Sequence, residues 1–94
     1  KTRAGIVVGS GMGGMSVFTE NAKTLVEKGP TRISPFFIPY IITNMCGAKL
    51  AIDLGFKGPN YSVSTACATS NHALICAANH IQAGQADIML TGGV

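Results

Sequence analysis

From Gly58 to Ala86 the chain runs twenty-nine residues without one Asp, Glu, Lys or Arg. A small free-standing domain exposes much of its surface and needs charge to cover it. So long an uncharged stretch has to be enclosed, by lipid or by protein. Its content excludes lipid: it holds Asn60, Asn71, His72, Asn79, His80, Gln82 and Gln85, and its longest purely apolar run is Ala73 to Ala78. A membrane span needs about 20 predominantly apolar residues. Enclosure by protein remains, and the 94 residues read as an interior piece of something larger.

The rest of the composition narrows the class. Hydrophobic residues make up 47% of the chain, which excludes a disordered tail. Seven basic residues against four acidic ones leave +3, but no two basic residues adjoin. Without a basic patch, no nucleic-acid partner is expected. Lys1 and Arg3 lead straight into a short strand-like run, so no secretory leader is expected. Three cysteines, Cys46, Cys67 and Cys76, are odd in number and irregular in spacing, which favours a reducing compartment over a disulfide scaffold. The sequon at Asn60 then has no role.

Periodicity predicts alternating strands and helices. Ala4–Val8 is short, apolar and β-branched, a buried strand that runs into the glycine-rich turn Gly9–Gly14. Met15, Phe18, Ala22, Leu25 and Val26 recur at helical spacing until Gly29-Pro30. Ser34–Pro39, with two prolines, predicts an extended and unusually aromatic loop. A second helix is expected over Ile41–Leu54, a strand over Tyr61–Thr65, a third helix over about 66–83 and a last strand over Asp87–Thr91. The third helix carries small or apolar residues on all sides and so reads as a buried, central helix. This alternation predicts an α/β layered fold, without repeat or linker.

Cys67 follows a strand and opens that helix. Unpaired N–H groups and the dipole at a helix start lower a thiol's pKa, and the same N–H groups can hold an oxyanion. Strand, tight turn and helix thus supply a nucleophile with part of its oxyanion hole. From position alone a small buried hydrophobe, the commonest fate of a free cysteine, is the alternative reading. Cys46 and Cys76 lie inside helical patterns and read as packing. Gly9-x-Gly11-x-x-Gly14 matches a dinucleotide-binding pattern, but the acidic residue and second strand expected about 20 residues on are missing. A tight turn that lets backbone or ligand pass close is the better reading. His72, Cys76 and His80 share one helical stripe, yet i to i+8 spans about 12 Å, too far for one ion to bind both histidines. His72 also points roughly 140° away from Cys67 around the helix, a poor general base for it. No cofactor and no metal are expected. Phe36, Phe37, Ile38, Tyr40 and Ile41, with Met12 and Met15 nearby, form an apolar cluster that suits an acyl ligand or packing inside a larger core.

The string Gly58-Pro59-Asn60-Tyr61-Ser62-Val63-Ser64-Thr65-Ala66-Cys67-Ala68-Thr69-Ser70 resembles the nucleophile segment of β-ketoacyl-[acyl carrier protein] synthases. Gly9–Gly14, Ile33–Pro39, Ile42–Met45, Ala78–Ile81 and Ala86–Met89 resemble that family's motifs in the same order, in the flavour of plant plastid and bacterial type II enzymes. The resemblance implies a thiolase-like layered αβαβα fold, two similar halves of which this chain is most of the N-terminal one. It implies that Cys67 takes an acyl chain from acyl carrier protein as a thioester, its backbone N–H forming half of the oxyanion hole. Malonyl-[acyl carrier protein] then loses its carboxylate, and the carbanion attacks the thioester in a Claisen condensation. Met12 matches a position lining the acyl pocket, Phe37 one reaching toward it across a dimer, and Ile41 is taken with them as substrate-binding. The strand at Tyr61–Thr65 matches one that pairs with its twin across a homodimer. Plastid stroma or bacterial cytoplasm is the implied location.

The same resemblance places the two histidines and the lysine that promote decarboxylation, and the loop giving the second oxyanion donor, beyond Val94. His72 and His80 do not match them, so residues 1–94 alone are expected to be poorly soluble and unable to condense substrates. Lys49 departs from the pattern, a charge where the family's helix tends to be neutral. A thiolase-type acyl-CoA enzyme and a polyketide-type ketosynthase share the fold and stand as alternatives. A non-catalytic partner subunit typically lacks the nucleophile, and the presence of Cys67 speaks against it.

Overall fold

A computed structural model describes residues 1–94. Its centre is β1 (Ala4–Gly9), six residues all buried. A strand whose every side chain is apolar or absent can be buried on both faces, as in parallel sheets. β1 pairs in parallel with β2 (Asn60–Tyr61) on one side and with β3 (Ile88–Gly93) on the other, giving the order β2-β1-β3. The registers are Val7 opposite Tyr61 and Ala4 through Gly9 opposite Ile88 through Gly93.

Four helices connect the strands: α1 (Met15–Lys28), α2 (Phe37–Ile41), α3 (Met45–Leu54) and α4 (Thr69–Gln82). α3 and α4 cover opposite faces of β1, because successive side chains of a strand point to opposite sides. Toward α3, a Cβ at Gly47 would lie 3.4 Å from Ile6 Cγ2 and 3.9 Å from Val8 Cβ. Toward α4, a Cβ at Gly9 would collide with Thr69 Cγ2. α4 buries Thr69, Ala73 and Ala77, a stripe at i, i+4 and i+8 small enough to bring the helix close to the sheet. At the end of β3, a Cβ on Gly93 would sit 2.8 Å from Ser70 Cβ. α1 lies beside α2, with the Phe18 and Phe37 rings 5.9 Å apart, and buries no residue fully.

Several boundaries depart from the periodicity. The Ser34–Pro39 loop closes into α2, with Pro39 in its first turn, where helical N–H groups lack acceptors and a proline costs nothing. The expected helix over Ile41–Leu54 starts instead at Met45. Ile42 is extended, at φ −72° and ψ 144°, so Ile41 closes one helix and Asn44 precedes the next. Of the expected strand Tyr61–Thr65 only Tyr61 joins the ladder, together with Asn60 before it, and Thr65 already turns away, at φ −136° and ψ 45°. The last strand runs to Gly93 because β1 offers partners as far as Gly9. Gly29 and Gly55 end α1 and α3 as expected.

Burial within residues 1–94 is confined to a few positions. α4 is not enclosed all round: Leu74 and Ile75 are 57% and 53% exposed. Of the uncharged stretch only Thr69, Ala73, Ala77 and Ala86 are buried. The molecule is a slab of 51 × 28 × 13 Å with a radius of gyration of 15.7 Å, against roughly 12 Å for a compact chain of this length. Its accessible surface is 6066 Å², where a compact protein of the same mass has about 5100 Å². Lys49 sits on the exposed face of α3, 3.2 Å from Asp53 one turn on.

Candidate active site

Cys67 lies in a single 3-10 turn, Ala66–Ala68, placed between β2 and α4. The expected helix start at Ala66 therefore resolves into this turn, with α4 proper beginning at Thr69. Ala66 has φ +52°, and no other non-glycine residue of the chain is left-handed. A Cβ in that region is strained, and the strain persists only where neighbours over-determine the backbone. Thr69 is the main such neighbour. Its buried hydroxyl accepts the Thr65 N–H at 2.9 Å and donates to the Ala66 carbonyl at 2.6 Å. The Ala68 N–H closes the turn onto the Thr65 carbonyl at 3.1 Å. The backbone is thus turned sharply one residue before the cysteine. Cys67 is left exposed, and its N–H has no acceptor within the chain. An exposed thiol beside a free backbone N–H, just ahead of a helix start, can attack a carbonyl and hold the resulting oxyanion.

The glycine-rich turn lies next to this site. Ser64 Oγ donates to the Gly11 carbonyl at 3.2 Å, tying the loop to the segment that carries Cys67. Cβ atoms at Gly13 and Gly14 would strike the carbonyls of Ile41 and Tyr40 respectively, and Gly13 has φ +75°. Gly13 and Gly14 let the loop press against the end of α2, and of the three glycines in the GxGxxG match only Gly14 takes part in that contact. Between loop, α2 and α3 lies an open cleft of about 640 Å³. Met12, Tyr40, Ile42, Met45 and Cys46 are among its lining residues.

Of the residues picked from the sequence, Met12 lines this cleft, while Phe37 packs on Phe18 and Ile41 supports the glycine loop through its carbonyl, 3.4 Å from the Gly14 N–H. Cys67 stands outside the lining. Ile42, Met45 and Cys46 escaped sequence reasoning, because one continuous helix over Ile41–Leu54 hid the break that turns them toward the cleft. The two histidines are engaged elsewhere. His72 Nδ1 is 2.6 Å from Thr65 Oγ1. His80 bridges Tyr61 Oη at 2.7 Å and Gln85 Oε1 at 2.6 Å. Partial burial, with Cys76 beside it, pushes the Tyr61 phenol above its ordinary value. No helix is long and apolar enough to cross a membrane.

The family model for the β-ketoacyl synthase N-terminal domain matches residues 1–94. The chain belongs to the β-ketoacyl synthase family. It is 64% identical over 93 residues to 3-oxoacyl-[acyl-carrier-protein] synthase I, chloroplastic, of Arabidopsis thaliana, covering 99% of this chain and 20% of that protein. Against the Hordeum vulgare chloroplastic synthase I it is 65% identical over 91 residues, again 20% of the relative. The Staphylococcus aureus 3-oxoacyl-[acyl-carrier-protein] synthase 2 is 48% identical over 91 residues, covering 97% of this chain and 23% of the relative. The chain therefore spans about a fifth of the length of the curated relatives it matches. Among solved structures, a type II polyketide ketosynthase in complex with its acyl carrier protein superposes with a TM-score of 0.92 at 27% identity, covering 98% of this chain and 26% of that one. The ishigamide ketosynthase/chain length factor superposes at 0.90 with 26% identity, over 99% of this chain and 26% of its own. The β2-β1-β3 layer with its flanking helices is thus part of a thiolase-like α/β fold.

Proposed function

We propose that Cys67 is the nucleophile of a 3-oxoacyl-[acyl carrier protein] synthase that lengthens fatty-acyl chains. The observation that carries this reading is the left-handed Ala66 ahead of an exposed Cys67 whose N–H is free. In the first step the Cys67 thiolate attacks the acyl thioester of acyl carrier protein. The carrier's thiol leaves, and the acyl group stays on Cys67 Sγ. In the second, malonyl-[acyl carrier protein] loses carbon dioxide, and its carbanion attacks the Cys67 thioester. A carbon–carbon bond forms, the thiolate of Cys67 leaves, and 3-oxoacyl-[acyl carrier protein] departs. Through both steps the Cys67 N–H stabilises the developing oxyanion.

Acyl carrier protein as partner is supported by the ketosynthase neighbour captured with its own carrier. Fatty-acid elongation is favoured over polyketide extension by identities of 64–65% to the plastid synthases against 26–27% to the polyketide ketosynthases. In this reading residues 1–94 form most of the N-terminal half of the synthase domain. The exposed apolar residues of α4 and β3 are covered by the rest of the protein and by a second subunit. Met12 borders the acyl chain, with Phe37 and Ile41 behind it. Plastid stroma or bacterial cytoplasm is the location that suits the relatives.

The test is peptide-resolved labelling of the full-length protein with an acyl-carrier substrate. Cys67 is expected to carry the acyl group, and Cys67→Ala to abolish both labelling and condensation. Acylation confined to Cys46 or Cys76 refutes the assignment.

A further inference from the structure

We infer that His72 is a positioning residue for Cys67: through its bond to Thr65 it fixes the strained turn that presents the nucleophile. The inference rests on the reading of Cys67 as the acylated residue and adds to it a residue that does not touch substrate.

The argument starts from Ala66. A left-handed alanine reverts to a commoner conformation unless the residues on either side are held. On its N-terminal side that residue is Thr65, and all of its polar groups are engaged. Its N–H goes to Thr69 Oγ1 at 2.9 Å, its carbonyl takes the Ala68 N–H at 3.1 Å, and its hydroxyl meets His72 Nδ1 at 2.6 Å. The two side chains that grip Thr65 come from positions 69 and 72. Three residues apart, they are neighbours on one face of α4. Side chains on a helix lean toward its N-terminus, so both reach back over the turn. Thr69 holds the backbone of Thr65 and His72 holds its side chain, which stops the residue from rotating about the bonds that Thr69 leaves free.

Histidine suits this position for two reasons. Nδ1 sits on a short stem, close enough to reach the preceding turn without stretching. A hydroxyl partner also serves either protonation state, donating to a neutral Nδ1 and accepting from a protonated one. The clasp therefore survives changes of imidazole charge, as a holding role requires and as a general base would not. This explains a histidine five residues after the nucleophile that is aimed away from it. The His72 ring is spent on the turn.

The experiment compares full-length wild-type protein with His72→Ala, His72→Asn, Thr65→Val and the double variant His72→Ala/Thr65→Val. Two rates are read at each cysteine by mass spectrometry: single-turnover acylation by decanoyl-[acyl carrier protein], and alkylation by iodoacetamide. Acylation needs the oriented N–H as well as the thiol, whereas alkylation needs only the thiol. Loss of one net hydrogen bond predicts that His72→Ala and Thr65→Val each slow Cys67 acylation about 3- to 10-fold. The double variant is expected to be no slower than either single one, because both remove the same bond. His72→Asn, whose amide falls where Nδ1 lies, is expected to restore acylation to within about twofold of wild type. Alkylation of Cys46, Cys67 and Cys76 should hold steady throughout. Wild-type acylation in His72→Ala, multiplied effects in the double variant, or no rescue by Asn would each overturn the inference. So would a joint rise in alkylation of all three cysteines, which assigns the loss to unfolding. Failure of wild-type Cys67 to acylate overturns the functional reading and this inference with it.

Discussion

Thr69→Val removes one oxygen from the turn that carries Cys67 and keeps its shape. The valine methyls still fill the space under Gly9, where Thr69 Cγ2 now lies. Two hydrogen bonds are lost, from the Thr65 N–H and to the Ala66 carbonyl. At about 0.5–1.5 kcal/mol net each, they amount to roughly 1–3 kcal/mol. Thr65 and Ala66 are themselves exposed, so water takes up the freed groups and the full desolvation penalty does not apply. Relaxation of the left-handed Ala66 returns up to about 1 kcal/mol. The net destabilisation of the turn is therefore about 1–2 kcal/mol. Native-state hydrogen exchange on the full-length protein reads it locally. Amides of Ala68 and the first turn of α4 should exchange about 5- to 30-fold faster, while β1 amides do not change. Thr69→Ser, which keeps the hydroxyl, should exchange nearly as wild type. Unchanged protection in Thr69→Val would mean that the hydroxyl does not hold the turn, and the account of the strained alanine fails.

Two other perturbations separate the remaining contacts. Gly14→Ala drives a Cβ into the Tyr40 carbonyl, whereas Gly11→Ala meets nothing within 4 Å. Thermal unfolding should show a loss of about 1–3 kcal/mol for the first and under about 0.5 kcal/mol for the second. The Arg3 guanidinium, 3.0 Å from Asp87, holds that carboxyl below its ordinary value. A lowered folded-state value means that the pair stabilises the fold above the usual carboxylate range and stops doing so as pH falls through the folded value. Stability curves of wild type and Asp87→Asn should separate near neutrality and merge in acid. Added salt should narrow the gap, because both partners face solvent.

What the sequence made legible was whatever depended on local chemistry. Glycines marked helix ends, β-branched runs marked β1 and β3, and the resemblance around Cys67 led to the right family. Hidden were features set by individual side-chain and backbone contacts that hydrophobic periodicity does not encode. Nothing in the apolar pattern announces that Ala66 is left-handed, because the cause is the hydrogen bonding of one hydroxyl three residues later. Pro39 argued for a loop, since proline inside a helix is costly, and only its place in a first turn makes it harmless. The break at Ile42 was masked by an unbroken apolar pattern, and with it the part of the cleft formed by Ile42, Met45 and Cys46. The uncharged stretch reads as unsuited to water, yet most of it lies on the surface of this slab. A sequence records what a segment is fit to touch, while the structure records what it touches.

The position of β1 in its sheet also sets an order of events. Ala4 pairs with Ile88, 84 residues downstream, and the nearer partner, Asn60, lies 54 residues after Ile6. A ribosome adding about 5–20 residues per second needs roughly 4–17 s to deliver that far partner. For that interval the edge of β1 that faces β3 stays open, with a row of backbone groups that any neighbouring strand can join. β1 is completed only when β3 arrives, and how much protein is recovered from synthesis depends on what shelters that edge while it waits.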